Sequence, residues 1–323
     1  MNDLKEYYRP SDQGLLRDIL LLVLIFAIPF FIHLGDIPLM DPDEGRYAEI
    51  PREMLEQTIK PLLVVEPEQT LGLLASYDCL LPNIENLRRQ AEEAAERPSL
   101  MSLIGRTTLR DGRKVDEIPP GEGAAILFRD NLGFWFQTHS HLLHFIISRL
   151  RQEGRFSQES FMTHLGHWEF LDENDARFIE VGLERYFADD QISAAHVLIP
   201  RLEHMIKSAF EQAGVAPIVS PDRQRIREQT FGDFLCRDEV RGCLGEDIWH
   251  YFYYAFVNEH GLNIRNDIAH GWIHPEFCHR GLVQVVLFAI LLLTGLGRKE
   301  ESQAETGQEK VAKEVMNGTA NDV

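Results

Sequence analysis

The stretch NDARFIEVGLERYFADDQISAAHVLIPRLEHMIKSAFEQAG, Asn174 to Gly214, decides the fold. Its apolar residues recur at intervals of three and four, the period of an amphipathic helix, and Asp189 with Asp190 interrupts them as an inter-helix turn. The segment reads as two consecutive helices, the second ending at Gly214 where a C-cap glycine belongs. Downstream, helices are expected over Glu246 to His260 and from Asn263 onward, joined by a short turn at Gly261. A last apolar helix, LVQVVLFAILLLTGL (Leu282 to Leu296), is 15 residues long and carries a Gln. That is short for a membrane span, so it reads as a buried bundle helix. Upstream, Phe134, Trp135, Leu142, Leu143, Phe145, Ile146 and Leu150 form an expected buried stripe. From Thr58 to about Pro120 the chain is charged and helical in pattern, broken by the Gly and Pro cluster at Pro119 to Gly123. Few stretches alternate with period two, which disfavours a parallel sheet, and the expected fold class is all-α.

The first 57 residues differ in character. Ile19 to Ile32 (ILLLVLIFAIPFFI) is an apolar run, extended by Leu15, Leu16, Leu34 and Ile37. With its edges in the interface it is long enough for one transmembrane helix over residues 15–37. No small-residue cleavage site follows it, which disfavours a signal peptide. Lys5, Arg9 and Arg17 precede the run while Arg46, Arg52 and Lys60 follow it, so the flanking charges set no orientation. The expected organisation is a membrane segment and loop (1–57), a helical region of unassigned role (58–172), a helical domain (173–297) and a disordered polar tail (298–323).

Composition limits the chemistry. A net charge of −19 on 323 residues is unfavourable for a general nucleic-acid coat, so any RNA site must be local. Cys79, Cys236, Cys243 and Cys278 include no CxxC pair, which indicates neither a zinc site nor a disulfide framework. No Walker loop, dinucleotide fingerprint or GxSxG elbow is present, and no cofactor is expected.

The string that carries chemistry is RNDIAHG, Arg265 to Gly271. Asn263 can cap the helix, which places Arg265, Asn266 and Asp267 in a first turn whose free amides suit a phosphate oxygen. Asn266 and His270 are four apart and share a face, whereas Arg265 and His270 point about 140° apart, so the arginine must reach around or toward a second subunit. A neutral imidazole can take the proton of a ribose 2′-hydroxyl, a guanidinium can stabilise phosphorane charge, and an amide can hold either in place. On the residues alone a plainer reading stays open: Arg265 pairs with a carboxylate, Asn266 caps, and His270 is a satisfied core residue.

With AAHVLIPRLEHMIKSAFEQAG upstream, GLNIRNDIAHGWI closely resembles the domain family defined by an RNxxxHG motif. That family occurs in bacterial proteins and in the eukaryotic endoplasmic-reticulum-membrane-associated RNA degradation protein, and it resembles a branch of the HEPN superfamily. The resemblance covers roughly Asn174 to Leu296. It implies a helical bundle that dimerises, RNA as substrate, metal-independent endoribonuclease activity, and motif roles for Arg265, Asn266 and His270. A cytoplasmic position for this domain is expected with it, and a non-catalytic HEPN interaction module is the alternative.

A second resemblance lies at the amino terminus. DPDEGRYAEIPREML (Asp41 to Leu55) is similar to the first extracytoplasmic loop of the lipid-linked aminoarabinose transferase family, whose active-site acidic pair matches Asp43 and Glu44. The further spans such a glycosyltransferase needs are absent, so the segment reads as a borrowed anchor or fusion remnant. His139, His141 and His144, and separately His164 and His167, lack acidic partners at ligand spacing and read as polar packing, so no metal site is expected.

Overall fold

The computed structural model describes residues 56–96, 105–110, 113–222 and 225–296. The expected membrane helix at 15–37, Asp43, Glu44 and the polar tail at 298–323 lie outside the described residues. The chain divides into two units at Gln57 and Thr58, and the elements below belong to the second.

The fold is mostly helical. Helical backbone at 58–64 is followed by α1 (Thr70–Ala75) and α2 (Ile84–Ala95). Next comes α3, a helix of 30 residues (Gly123–Gln152), and then α4 (Gln158–Leu165). The hairpin that decides the fold forms as α5 (Glu173–Phe187) and α6 (Gln191–Gln212). Asp172 and Asp190 cap the two helices, accepting from the Asp175 and Ser193 amides, and Asp189 turns between them in the left-handed region. The short helices α7 (Phe231–Leu235), α8 (Asp238–Leu244), α9 (Glu246–Phe256) and α10 (Ile264–Ala269) lead to α11 (Arg280–Leu293).

Helix α11 is apolar on every side, and every residue from Val283 to Leu293 is buried. Such a helix belongs at the centre of a bundle, and it packs against α1, α3, α6 and α9. Gln284 is satisfied within this apolar surround: its Nε2 donates to Tyr186 Oη at 2.8 Å, and its Oε1 lies 2.8 Å from His144 Nδ1. Among the described residues no helix is long and apolar enough to cross a membrane. One core cluster runs from Leu62 to Leu293, so residues on both sides of position 172 share it.

Two expectations need correction. The stretch before Pro119 is not uniformly helical, because β1 (Arg106–Arg110) and β2 (Arg113–Ile118) pair antiparallel. The signals were Thr and Val, which favour strands, and the Asp111-Gly112 dipeptide that favours a hairpin turn. A second hairpin joins β3 (Ile218–Asp222) to β4 (Arg225–Glu228). The other correction concerns α3: Leu143, Ile146 and Leu150 are buried, but Phe134 is 71% exposed and Phe145 55% exposed. These two are eleven apart, three helical turns, on a face that the core does not cover.

Candidate functional site

The chain enters the RNDIAHG segment through a loop at 257–263 that folds back on the end of α9. Leu262 N donates to Tyr254 O at 3.0 Å, and a Cβ on Gly261 would overlap that same carbonyl, so the close approach requires glycine. Asn263 follows at φ 49° and makes no side-chain cap, contrary to the expected capping role. The carboxylate of Asp267 takes its side chain instead: Nδ2 donates to Asp267 Oδ1 at 3.0 Å, while its Oδ1 accepts from Asn266 Nδ2 at 2.8 Å. With six residues, α10 is too short to hold a strong dipole, so the expected role of its amino terminus rests on side chains.

Arg265 turns toward α6. Its Nε donates to Glu203 Oε2 at 2.7 Å and its Nη2 to Glu203 Oε1 at 3.2 Å, a two-pronged guanidinium–carboxylate pair. Nη1 donates to Asn266 Oδ1 at 3.1 Å. Asn266 is further tied to the loop by Nδ2 donating to Val257 O at 3.4 Å. Glu203 has a second cation beside it, because Lys207, only 6% exposed, donates to Glu203 Oε1 at 2.8 Å, Glu228 Oε1 at 2.9 Å and Gln229 O at 2.8 Å. Burial alone would raise the Glu203 carboxyl, but the hydrogen bonds and charges of Arg265 and Lys207 outweigh it and hold the group below its ordinary value.

His270 ends α10 and is exposed, contrary to the reading that put it in the core. Its ring stacks on Trp272, centroids 4.8 Å apart and planes 30° from parallel, and Trp272 is itself 61% exposed. Gly271 at φ 67° occupies the left-handed position that terminates the helix. The structure thus brings Arg265 and Asn266 together. It leaves His270 at the other end of α10, with no hydrogen bond to either side chain. Two cavities indent the surface elsewhere, beside Trp135 and His139 and beside Arg129 and Tyr254, and neither is lined by the three motif residues. Glu203, Lys207 and Trp272 were not singled out in the sequence, although Glu203 and Lys207 stand four apart in the deciding stretch.

The other histidines pack as polar residues. His139 Nδ1 lies 2.8 Å from Trp135 O with its ring stacked on that indole, His141 Nδ1 lies 2.6 Å from Gln137 O, and His144 faces Gln284. Burial lowers the His139 pKa against the opposing pull of the Trp135 carbonyl. His164 Nε2 lies 2.9 Å from Thr294 Oγ1. Asp172, Asp175 and His204 place ligand-type atoms within 4.8 Å of one another. There Arg201 Nη1 donates to the buried Asp175 Oδ1 at 3.0 Å, so a guanidinium already supplies the positive charge that a cation would bring.

No family model, curated protein or solved structure matches this chain.

Proposed function

We propose that this chain is a membrane-tethered RNA-cleaving protein whose HEPN-like bundle acts as a homodimer, with His270 as general base and Arg265 and Asn266 at the phosphate. The observation that carries the reading is the contrast along α10. Arg265 is held in a fixed pose by Glu203 and Asn266, while His270 stands exposed beside an exposed Trp272. Three of the five N–H donors of Arg265 are engaged, and the other two have no partner among the described residues. A phosphate oxygen would take them.

The chemistry follows from those groups. The imidazole of His270 removes the proton from a ribose 2′-hydroxyl and the oxygen attacks phosphorus; the bond from phosphorus to the 5′-oxygen breaks, that oxygen takes a proton from water, and the imidazolium returns its proton to solvent, giving a 2′,3′-cyclic phosphate and a 5′-hydroxyl. Charge on the equatorial oxygens is met by the Arg265 guanidinium. Arg265 and His270 diverge by about 140° on one helix, so a second copy supplies the complementary group, which supports the dimer. Residues 15–37 supply the tether, and the bundle is placed in the cytoplasm; Asp43 and Glu44 take no part. The test is cleavage of RNA by purified protein in EDTA, with His270→Ala as the inactive control. A second reading, a non-catalytic interaction module, is favoured by the charge match of Arg265 with Glu203, and it is the outcome if RNA or protein binds without being cut.

A further inference from the structure

The loop that follows α10 is anchored at both ends and holds its rings outward. Trp272 N donates to Asp267 O at 2.7 Å and Ile273 N to the same carbonyl at 3.2 Å. Ile273 packs half-buried on the core, and Cys278 is buried at the far end. Between these anchors the side chains of Trp272 and Phe277 are exposed. Of the four tryptophans, Trp168 and Trp249 are buried and Trp135 is half-buried, so Trp272 alone stands in solvent. A large ring kept out of the core on a pinned backbone is the mark of a binding surface. The His270 imidazole lies over one face of that indole, and among the described residues no ring or cation lies over the other. Charge then limits what can bind there. From His270 to Phe277 the loop carries Glu276 and no Lys or Arg, in a chain of net charge −19, so phosphate neutralisation supplies little of the grip. Stacking supplies it instead: every base has a π-face, and loss of one base-to-ring stack weakens binding about fivefold to a hundredfold. Exposed Gly271, His274 and Glu276 interrupt the apolar surface of the loop, which therefore lacks the continuous apolar core of a protein interface.

We propose that Trp272 is a base-stacking platform that selects unpaired RNA, taking the base of a nucleotide beside the one whose 2′-hydroxyl meets His270. This rests on the reading of His270 as the group at the 2′-hydroxyl. The base seats on the indole face that the imidazole leaves open. A base inside a duplex has both faces covered by its neighbours and cannot seat there, so Trp272 tells single strands from double ones. A stacking ring does not read the 2′-hydroxyl, so single-stranded DNA seats on Trp272 as well and is held without being cut.

The test is fluorescence anisotropy of a labelled short single-stranded DNA, which the protein cannot cleave, titrated with full-length protein beside the duplex of the same sequence and strands carrying an abasic nucleotide at each position in turn. Saturable binding of the single strand and not of the duplex is expected, with the shallow salt dependence of about one or two phosphate contacts. Trp272→Ala should weaken it about tenfold or more with melting unchanged, and Trp272→Phe, which keeps a ring, should restore most of the loss. One abasic position should weaken binding to the parent as much as Trp272→Ala does, and should weaken the variant no further, a coupling that a merely structural role would not produce. Absence of saturable binding, equal binding of the duplex, or equal binding by folded Trp272→Ala overturns the proposal. Trp272-dependent binding by a protein that cuts no RNA keeps the platform and removes the nuclease chemistry. Cleavage of RNA that Trp272→Ala leaves intact does the reverse.

Discussion

Glu203 is the residue on which the site turns, because it holds the one arginine of the motif and is itself held by a buried lysine. Its folded pKa is depressed below the ordinary 4.5, so the stabilisation it supplies is complete above about that pH and is lost as pH falls through the folded value. Glu203→Gln should therefore cost about 1–3 kcal/mol at neutral pH, the scale for leaving charged partners imperfectly matched. The difference between variant and parent should shrink when both are melted at successively lower pH below 4.5. A constant difference across that range would remove the assigned charge role. That Arg265 pairs with a carboxylate was one of the readings open from the residues, but the partner was not legible, since Glu203 and Lys207 have the spacing of any solvated helix pair and Arg265 lies 62 residues away in sequence. What the sequence did carry was the tight glycine turn at Gly261 that leads into the motif.

At the level of elements, α11 and the loop before α10 carry the clearest consequences. Ile290 is fully buried in the last turns of α11, and Ile290→Ala should cost roughly 2–5 kcal/mol, the range for emptying a packed core position. Gln284→Ala should cost about 1–3 kcal/mol by orphaning the Tyr186 hydroxyl and the His144 nitrogen, because the Gln284 amide donates to the one and accepts at the other. Chemical denaturation of each variant checks both values. Gly261→Ala drives a methyl group into the Tyr254 carbonyl, so the loop must open, and amide exchange at Leu262 should accelerate while the core of α11 keeps its protection. Helices with strong periodicity, α5 and α6 above all, could be read directly because their apolar faces meet one core. The face of α3 could not, since Phe134 and Phe145 fit a helical stripe by hydrophobicity yet lie where none of the described elements covers them. The two hairpins were missed for a related reason: strands this short and this charged alternate too weakly to stand out against helical neighbours.

For the molecule as a whole, one core from Leu62 to Leu293 joins the region before residue 172 to the helices after it. An isolated fragment starting at residue 173 would expose the surfaces of α6 and α11 that α3 and α1 cover, so it should be less stable than the longer chain. Arg265 lies partly buried against α6 and His270 is exposed, and the proposed dimer would bring the two kinds of group into one cleft. The most direct test incubates purified full-length protein with single-stranded RNA, and with DNA of the same sequence, in EDTA, and identifies the ends produced. The account predicts a 2′,3′-cyclic phosphate from RNA, intact DNA because it lacks the attacking 2′-hydroxyl, and a loss of roughly 10²-fold or more in His270→Ala with its melting unchanged. Cleavage that needs magnesium, or that survives in the His270→Ala protein, would contradict it.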